Sequence, residues 1–394
     1  MNYSTSCDES SWLENGLVLD MNSLAGYFER LHDGRRARGK RYRLAHICIL
    51  ATLAKLSGED RPFGIAQWAQ LRHAVLGPLL GLPKRLPSHN TYRRAFASAI
   101  SPAELDQQLT AFLRQQGGRS VLIALDGKTL RGTIPAGQTA GLHLLAAYLP
   151  AEGIVLVQMA VESKDNEIVA APKVLASLDL RGKIVMGDAM HTQRELSVQI
   201  IAADGDYIWL VKANQPQLRA DIEQWFAPET HVKGFSPATK DFQTARSVNK
   251  GHGRHEERTL TTSSLLNDYL GWPGLAQVFK LERRVVNTAT GELRQEIVYG
   301  ITSLTAKQAD AKRLNGLVRQ YWGIENGLHY RRDRSLLEDA TRMRNRNQAQ
   351  NLAALNNLIV GLVLRQGWDY LPQARRHYAG CLPAALSLVF SAQG

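Results

Sequence analysis

Two aspartates stand at the ends of short apolar runs. Asp126 follows "VLIAL" and Asp188 follows "KIVMG". Each run predicts a buried strand that ends on a charged side chain. If the two strands are neighbours in an open sheet, their carboxyl ends bring two negative charges together. Such a pair repels unless a divalent cation lies between them. A Glu from a later helix would complete the site. Glu325, in "VRQYWGIENGLHYRRD", is the choice, with Asp333, Glu338 and Asp339 as rivals. Three carboxylates holding Mg2+, or Mn2+ in its place, suit phosphodiester chemistry: one ion activates the attacking oxygen and another stabilises the leaving one. Taken singly, each Asp also reads as an ordinary turn residue.

Cations surround these positions. Lys128 and Arg131 follow Asp126 and read either as phosphate contacts or as a solvated turn. Lys212 and Asn214 close "DYIWLVKAN" and are expected on the same sheet edge, against a DNA backbone. Arg319 and Arg332 flank Glu325. His191, three residues after Asp188, reads as a metal neighbour, a proton shuttle or a hydrogen-bonding support. The block "GHGRHEER" carries His252, Arg254, His255 and Arg258 without a zinc spacing, so phosphate contact is the expectation there. Trp322 reads as a base-stacking ring or as helix packing. Arg35 and Arg36 in "RRARGKRYR", with Arg93 and Arg94, are the expected N-terminal backbone contacts.

The whole chain has the same electrostatic bias. Its 394 residues include 48 Lys and Arg against 36 Asp and Glu, a net charge of +12. So basic a chain is expected to meet a polyanion, nucleic acid first. The polar start "MNYSTSCDESSWLEN" lacks the pattern of a secretory leader. The run "LAHICILATLAKL" is too short to span a bilayer and carries a His and a Lys. Cys7, Cys48 and Cys381 form no CxxC and read as thiols. A cytoplasmic, nucleoid-associated protein is the expectation, with double-stranded DNA as partner and no membrane.

The elements that must position these groups fall into two textures. Residues 1–20 read as a flexible tail. Residues 21–116 read as an all-helical domain with basic edges, its helices built on "MNSLAGYFERLHD", "LAHICILATLAKLSG", "GIAQWAQLRHAVLGPLLGL", "LPSHNTYRRAF" and the Ser101-capped "SPAELDQQLTAFLRQQ". From residue 118 to 394 strands and helices alternate. Three strands come first, the second and third with a short turn between them, followed by helix, strand, helix and strand. That order predicts an α/β mixed sheet of the RNase H-like kind. Residues about 216–305 read as a β-rich insertion, and residues about 306–370 as C-terminal helices.

Several blocks, "ALDGKTLRGT", "ESKDNEIVAAPKVLASLDLRGKIVMGDAMHTQ", "DYIWLVKANQ", "GHGRHEER", "YWGIENGLHYRRD" and "LLEDATRMRNRNQAQNLAALNN", resemble in order those of bacterial insertion-sequence transposases of the H-repeat-associated kind, a DDE class. The N-terminal "HDGRRARGKRYRLAHICILATLAKLSG" resembles that family's helical associated domain. The resemblance implies an RNase H-like DDE catalytic domain interrupted by a strand insertion, with an N-terminal DNA-binding domain. It implies Mg2+-dependent DNA strand cleavage and transfer at terminal inverted repeats, by a homodimer or larger assembly. It assigns Asp126 and Asp188 as first and second aspartates and Glu325 as the third carboxylate. The wider class often places Tyr, Arg and Lys around that Glu; Val318, Tyr321 and Arg332 stand at those places, so the signature is partly met. A decayed, DNA-binding relative and a plain Mg2+-dependent nuclease are the alternatives.

Overall fold

The computed structural model describes residues 20–115, 120–161, 167–228, 240–251 and 253–391. The expected tail lies outside these, save for Asp20. The chain divides into two compact units. One comprises residues 1–119, 127–166 and 325–394; the other comprises residues 120–126 and 167–324.

Helix α1 (Leu24–Glu29) is capped by Ser23, whose Oγ accepts the Gly26 N–H. Helix α2 (Leu44–Leu56) is the 13-residue apolar run, and nearly every residue of it is buried, so its apolarity serves a protein core. No described helix is long and apolar enough to cross a membrane. The stretch read as one helix from Gly64 to Leu82 is two, α3 (Pro62–Leu71) and α4 (His73–Leu80), because Arg72 leaves the helical region at φ −108° and ψ 12°. Helix α5 (His89–Arg94) continues into a wider turn, Ala95–Ala99. Helix α6 (Pro102–Gln115) begins where Ser101 Oγ accepts the Glu104 N–H at 3.4 Å.

Strands β1 (Leu122–Leu130), β2 (Leu142–Leu149) and β3 (Ile154–Val161) follow, then α7 (Glu167–Ala176), β4 (Ile184–Gly187), α8 (Arg194–Ala202) and β5 (Asp206–Val211). This is the order read from the sequence. Helix α9 (Pro216–Phe226) leads to β6 (Gln243–Gly251), β7 (Arg254–Ser263), the short α10 (Asn267–Leu270), β8 (Gln277–Asn287) and β9 (Leu293–Thr302). Helix α11 (Ala311–Tyr321) precedes two wide helical turns, Ile324–His329 and Arg331–Ser335, and α12 (Arg346–Arg365), α13 (Leu371–Gly380) and α14 (Leu382–Phe390) complete the chain.

Hydrogen-bonded neighbours form a mixed nine-stranded sheet in the order β3-β2-β1-β4-β5-β9-β8-β7-β6. β1 contributes to both units, its first half to the second and its last residues to the first. In the second unit β1, β4 and β5 are parallel, and β9 joins β5 antiparallel, with Val211 opposite Tyr299. The expected insertion strands therefore extend the sheet, as the antiparallel run β9-β8-β7-β6. Trp209 is fully buried there, and its indole N–H shares Ser197 Oγ with the indole N–H of Trp272, at 2.9 and 3.0 Å.

In the first unit β2 and β3 form an antiparallel hairpin turned at Gly153, which adopts φ 72°. Helix α12 is buried along almost its whole length and packs on α6 and β3. Its Asn351 Nδ2 donates to the carbonyls of Phe96 and Ile100, closing backbone acceptors left open by the wide turn after α5. Cys48 is a buried free thiol, whereas Cys381 is disulfide-bonded, a departure from the three thiols expected.

Candidate active site

The parallel pairing of β1 with β4 runs from Leu122 opposite Ile184 to Leu125 opposite Gly187. The next residue on each strand is an aspartate, Asp126 or Asp188, and both are half-buried. Neighbouring strands lie about 4.8 Å apart, so the two carboxylates leave the sheet side by side. One detail differs from the sequence reading: β1 does not stop at Asp126 but continues to Leu130. Pairing with β4, rather than the strand itself, ends there.

The Asp188 turn is braced from below. Asp188 Oδ1 accepts the Met190 N–H at 3.1 Å and caps the tight turn Ala189–His191. His191 is buried, with Nε2 3.4 Å from the buried Glu167 Oε2. Neither ring nitrogen makes a hydrogen bond among the described residues, so His191 meets the turn by packing and not as the hydrogen-bonding support expected. A Cβ on Gly187 would come within 2.7 Å of the His191 ring, so only glycine lets that ring lie under the strand end. Asn214 Nδ2 donates to the Ala189 carbonyl at 2.6 Å, and Gln215 Nε2 to the Thr192 carbonyl at 2.9 Å. Asn214 thus holds the protein's own turn, where a DNA contact was expected. Lys212, just past β5, is exposed. Glu167 was missed in the sequence, because nothing in its helix marks it as the partner of a residue in a later turn.

Tyr321, at the end of α11, donates from its hydroxyl to the Leu125 carbonyl at 3.4 Å, one residue before Asp126. Trp322 lies under two guanidinium groups, those of Arg258 at 4.4 Å and Arg283 at 4.9 Å. Both arginines bind Glu256, whose carboxyl they hold below its usual range against the opposing effect of burial. Packing therefore occupies Trp322, and Arg258 is buried in the same cluster instead of meeting phosphate. Arg254 is exposed at the start of β7, where it lines a 480 Å³ groove with Arg283, Arg294 and Glu296. His255 is half-buried, His252 lies outside the described residues, and Arg319 is exposed on α11.

The first unit carries the remaining expected residues. Glu325 is exposed in the wide turn Ile324–His329. Wide turns of this kind are frequent at functional sites. Lys128 is buried; its Nζ donates to Asp333 Oδ2 at 2.7 Å and pairs with Oδ1 at 2.6 Å, with Asp339 at 3.8 Å. Arg332 is 1% exposed; its Nε donates to Glu338 Oε2 at 2.9 Å, and its Nη2 lies in ion-pair range of the same oxygen at 2.9 Å. Both were expected on phosphates; in the fold both are neutralised by internal carboxylates, which sequence separation hid. Two of the rivals for the third carboxylate thus serve Lys128, and Glu338 serves Arg332 and Asn356. Arg35 is likewise turned inward, onto Asp33 and the Tyr42 carbonyl. Arg36, Arg93, Arg94 and Arg131 are exposed.

The donor set at the strand ends, two hard carboxylate oxygens, fits Mg2+ or Mn2+. Within either unit, no three His, Cys, Asp or Glu side chains among the described residues are gathered for a metal. The structure thus brings Asp126 and Asp188 together in one unit and assigns Glu325 to the other.

A mixed sheet with two aspartates at adjacent strand ends forms a carboxylate pair of the kind that suits a divalent cation. Residues 117–362 match the family model described as "Transposase DDE domain", and residues 25–113 match "DDE_Tnp_1-associated". The chain belongs to the DDE transposase family and is an enzyme of that type. It is similar, at 33% identity over 71% of this chain and 94% of the other, to a Xanthobacter autotrophicus protein named "Uncharacterized protein in dhlA 3'region". It is 26% identical, over 88% of this chain and 91% of the other, to the Escherichia coli (strain K12) "H repeat-associated putative transposase YhhI". Among solved structures, a piggyBac transposase synaptic complex with hairpin DNA aligns over 93% of this chain and 77% of that one, at TM-score 0.46 and 7% identity.

Proposed function

We propose that this transposase is a bacterial insertion-sequence enzyme that binds terminal inverted repeats and cleaves and joins DNA strands with Mg2+. The observation that carries this reading is the last β1–β4 rung, Leu125 opposite Gly187, followed on each strand by an aspartate. Asp126, Asp188 and Glu325 are the proposed carboxylate set, an assignment supported by the family motif. The proposed core is RNase H-like, residues 118–394, behind a helical DNA-binding domain at residues 21–116.

When bound, the metal supplies an activated attacking oxygen and stabilises the leaving one. The chain's own residues do the positioning. Asp188 is fixed by its cap to Met190 and by the Gly187–His191–Glu167 stack, so its carboxylate is pre-oriented. Tyr321 tethers the backbone before Asp126. Lys128, held by Asp333, supplies no free charge to DNA; exposed Arg131, Lys212, Arg254 and Arg319, with Arg36, Arg93 and Arg94, are the proposed phosphate contacts. A two-ended reaction calls for a homodimer on DNA, and work on the bacterial nucleoid calls for a cytoplasmic enzyme.

The test is incubation of the full chain with labelled end DNA, a target plasmid and Mg2+, in wild type and Asp188→Asn. Cleavage with joining that Asp188→Asn loses supports the reading. Cleavage without joining identifies a nuclease, and binding without product identifies a non-catalytic relative.

A further inference from the structure

A 700 Å³ cleft in the first unit opens along the end of β1 and is lined by Gly127, Lys128, Arg131, Asp333, Arg334 and Leu337, among others. In its floor the one charge of Lys128 meets two carboxylates, Asp333 and Asp339, so Lys128 offers no free charge there. The rim of the cleft differs. Arg131 is 79% exposed, with only a 3.8 Å approach to Asp339, and Arg334 is exposed. Beyond the cleft the chain runs as a strap, residues 341–346, in which Thr341 and Met343 are buried while Arg342, Arg344 and Arg346 are exposed. Among the described residues no carboxylate pairs with Arg334, Arg342, Arg344 or Arg346.

The strap is held in place by uncharged or internally neutralised contacts. The Met343 N–H donates to the Gly132 carbonyl at 2.9 Å, next to Arg131. A Cβ on Gly132 would collide with the Thr341 carbonyl, so the strap lies directly on that turn. Thr341 Oγ1 donates to the Leu337 carbonyl at 2.8 Å. The loop behind it is pinned by Glu338, buried between Arg332 and Asn356. Asn345 then caps α12 by accepting the Gln348 N–H at 2.9 Å, so the strap ends at the positive end of a 20-residue helix. Carboxylates that could neutralise the arginines are spent on Lys128 and Arg332. What is left outward is a run of exposed arginines at alternate positions, whose guanidinium groups are well shaped for phosphate oxygens.

We infer that the strap arginines Arg342, Arg344 and Arg346, with Arg131 and Arg334 on the cleft rim, form a track for the phosphate backbone of duplex DNA. The inference rests on the DNA reading above and adds a surface that the N-terminal basic run does not include. Backbone contact of this kind is sequence-independent and salt-sensitive.

The test measures binding of the full chain to a labelled duplex from the flank of its gene, across salt from about 50 to 200 mM. Arg342→Ala with Arg344→Ala is expected to weaken binding about tenfold or more at the upper salt and to flatten the log–log salt slope by about 2. Arg181→Ala with Arg376→Ala, an equal loss of exposed charge elsewhere, is expected to leave the slope unchanged. Arg342→Lys with Arg344→Lys is expected to keep most of the slope, which separates charge from misfolding. A wild type that binds with a double-alanine variant of unchanged slope overturns the track alone. A wild type that binds no duplex at low salt overturns the DNA reading and the track together.

Discussion

Leu125 and Gly187 form the last rung of the parallel ladder between β1 and β4, and beyond it the two strands part with an aspartate on each. The side chain of Asp188 is oriented by the turn that it caps, with the buried His191 ring packed beneath it.

Charge at that rung makes the first prediction. Asn caps a turn as well as Asp does, so Asp188→Asn keeps the Met190 bond while removing one of two neighbouring negative charges. Without metal the variant is expected to be as stable as wild type or more stable by about 1 kcal/mol. Mg2+ or Mn2+ is expected to raise the wild-type melting temperature and not that of the variant; saturation at a hundred times Kd corresponds to about 2.7 kcal/mol. Equal metal-induced shifts in the two proteins would remove Asp188 from the metal site.

Gly187→Ala probes the brace itself. Its Cβ would meet the His191 ring at 2.7 Å, and that ring is buried beside the buried Glu167. A loss of about 1–3 kcal/mol is expected from forced repacking. Thermal or denaturant melting measures it. An unchanged midpoint would mean that His191 does not rest under the strand end.

Trp322→Ala separates packing from base stacking. The ring lies under Arg258 and Arg283. Its removal is expected to cost about 2 kcal/mol through lost area and two cation–π contacts. Affinity for DNA, measured at a temperature where both proteins are folded, is expected to hold within about twofold, because base–aromatic stacking would be worth about 1–3 kcal/mol. Unchanged stability with a large affinity loss would reverse the assignment.

Two buried groups of the first unit give opposite pH dependences. Burial, then the charges of Arg332, Lys128 and His143, push His329 down to about 3. The unfolded chain takes up that proton near pH 6.5, so stability from His329 is full above that pH and is lost as pH falls toward 3. Burial pushes Asp106 up to about 7, although the Gln158 N–H that it accepts acts the other way. Its folded pKa is raised, so its contribution is full below about pH 4 and is lost as pH rises to 7. Between about pH 4 and 6.5 the two slopes, each at most about 1.4 kcal/mol per pH unit, oppose each other. His329→Gln is expected to leave stability falling with pH across this window, and Asp106→Asn to leave it rising. Denaturant midpoints across the window measure both; identical profiles in the two variants would contradict the pair.

Much of the fold was legible because it is written in local periodicity. Ser101 with Glu104 marks the start of α6, and the apolar runs before Asp126 and Asp188 mark β1 and β4. The break at Arg72 was not legible, since no breaker residue stands there. The path of the insertion strands was not legible either. Their alternation shows that they are strands, but the pairing of β9 with β5 is a non-local choice.

The sequence by itself determined which residues could do chemistry: two strand-end aspartates, an excess of cations, and motif blocks sufficient to assign the family. Only the tertiary structure decided which charges remain outward. Lys128 and Arg332 look as available as Arg131 and Arg342 when read along the chain. The fold buries the first two against Asp333 and Glu338 and leaves the others exposed. The reason is physical: a buried cation must be met by a carboxylate brought from elsewhere in the chain, and sequence order does not reveal which carboxylate that will be.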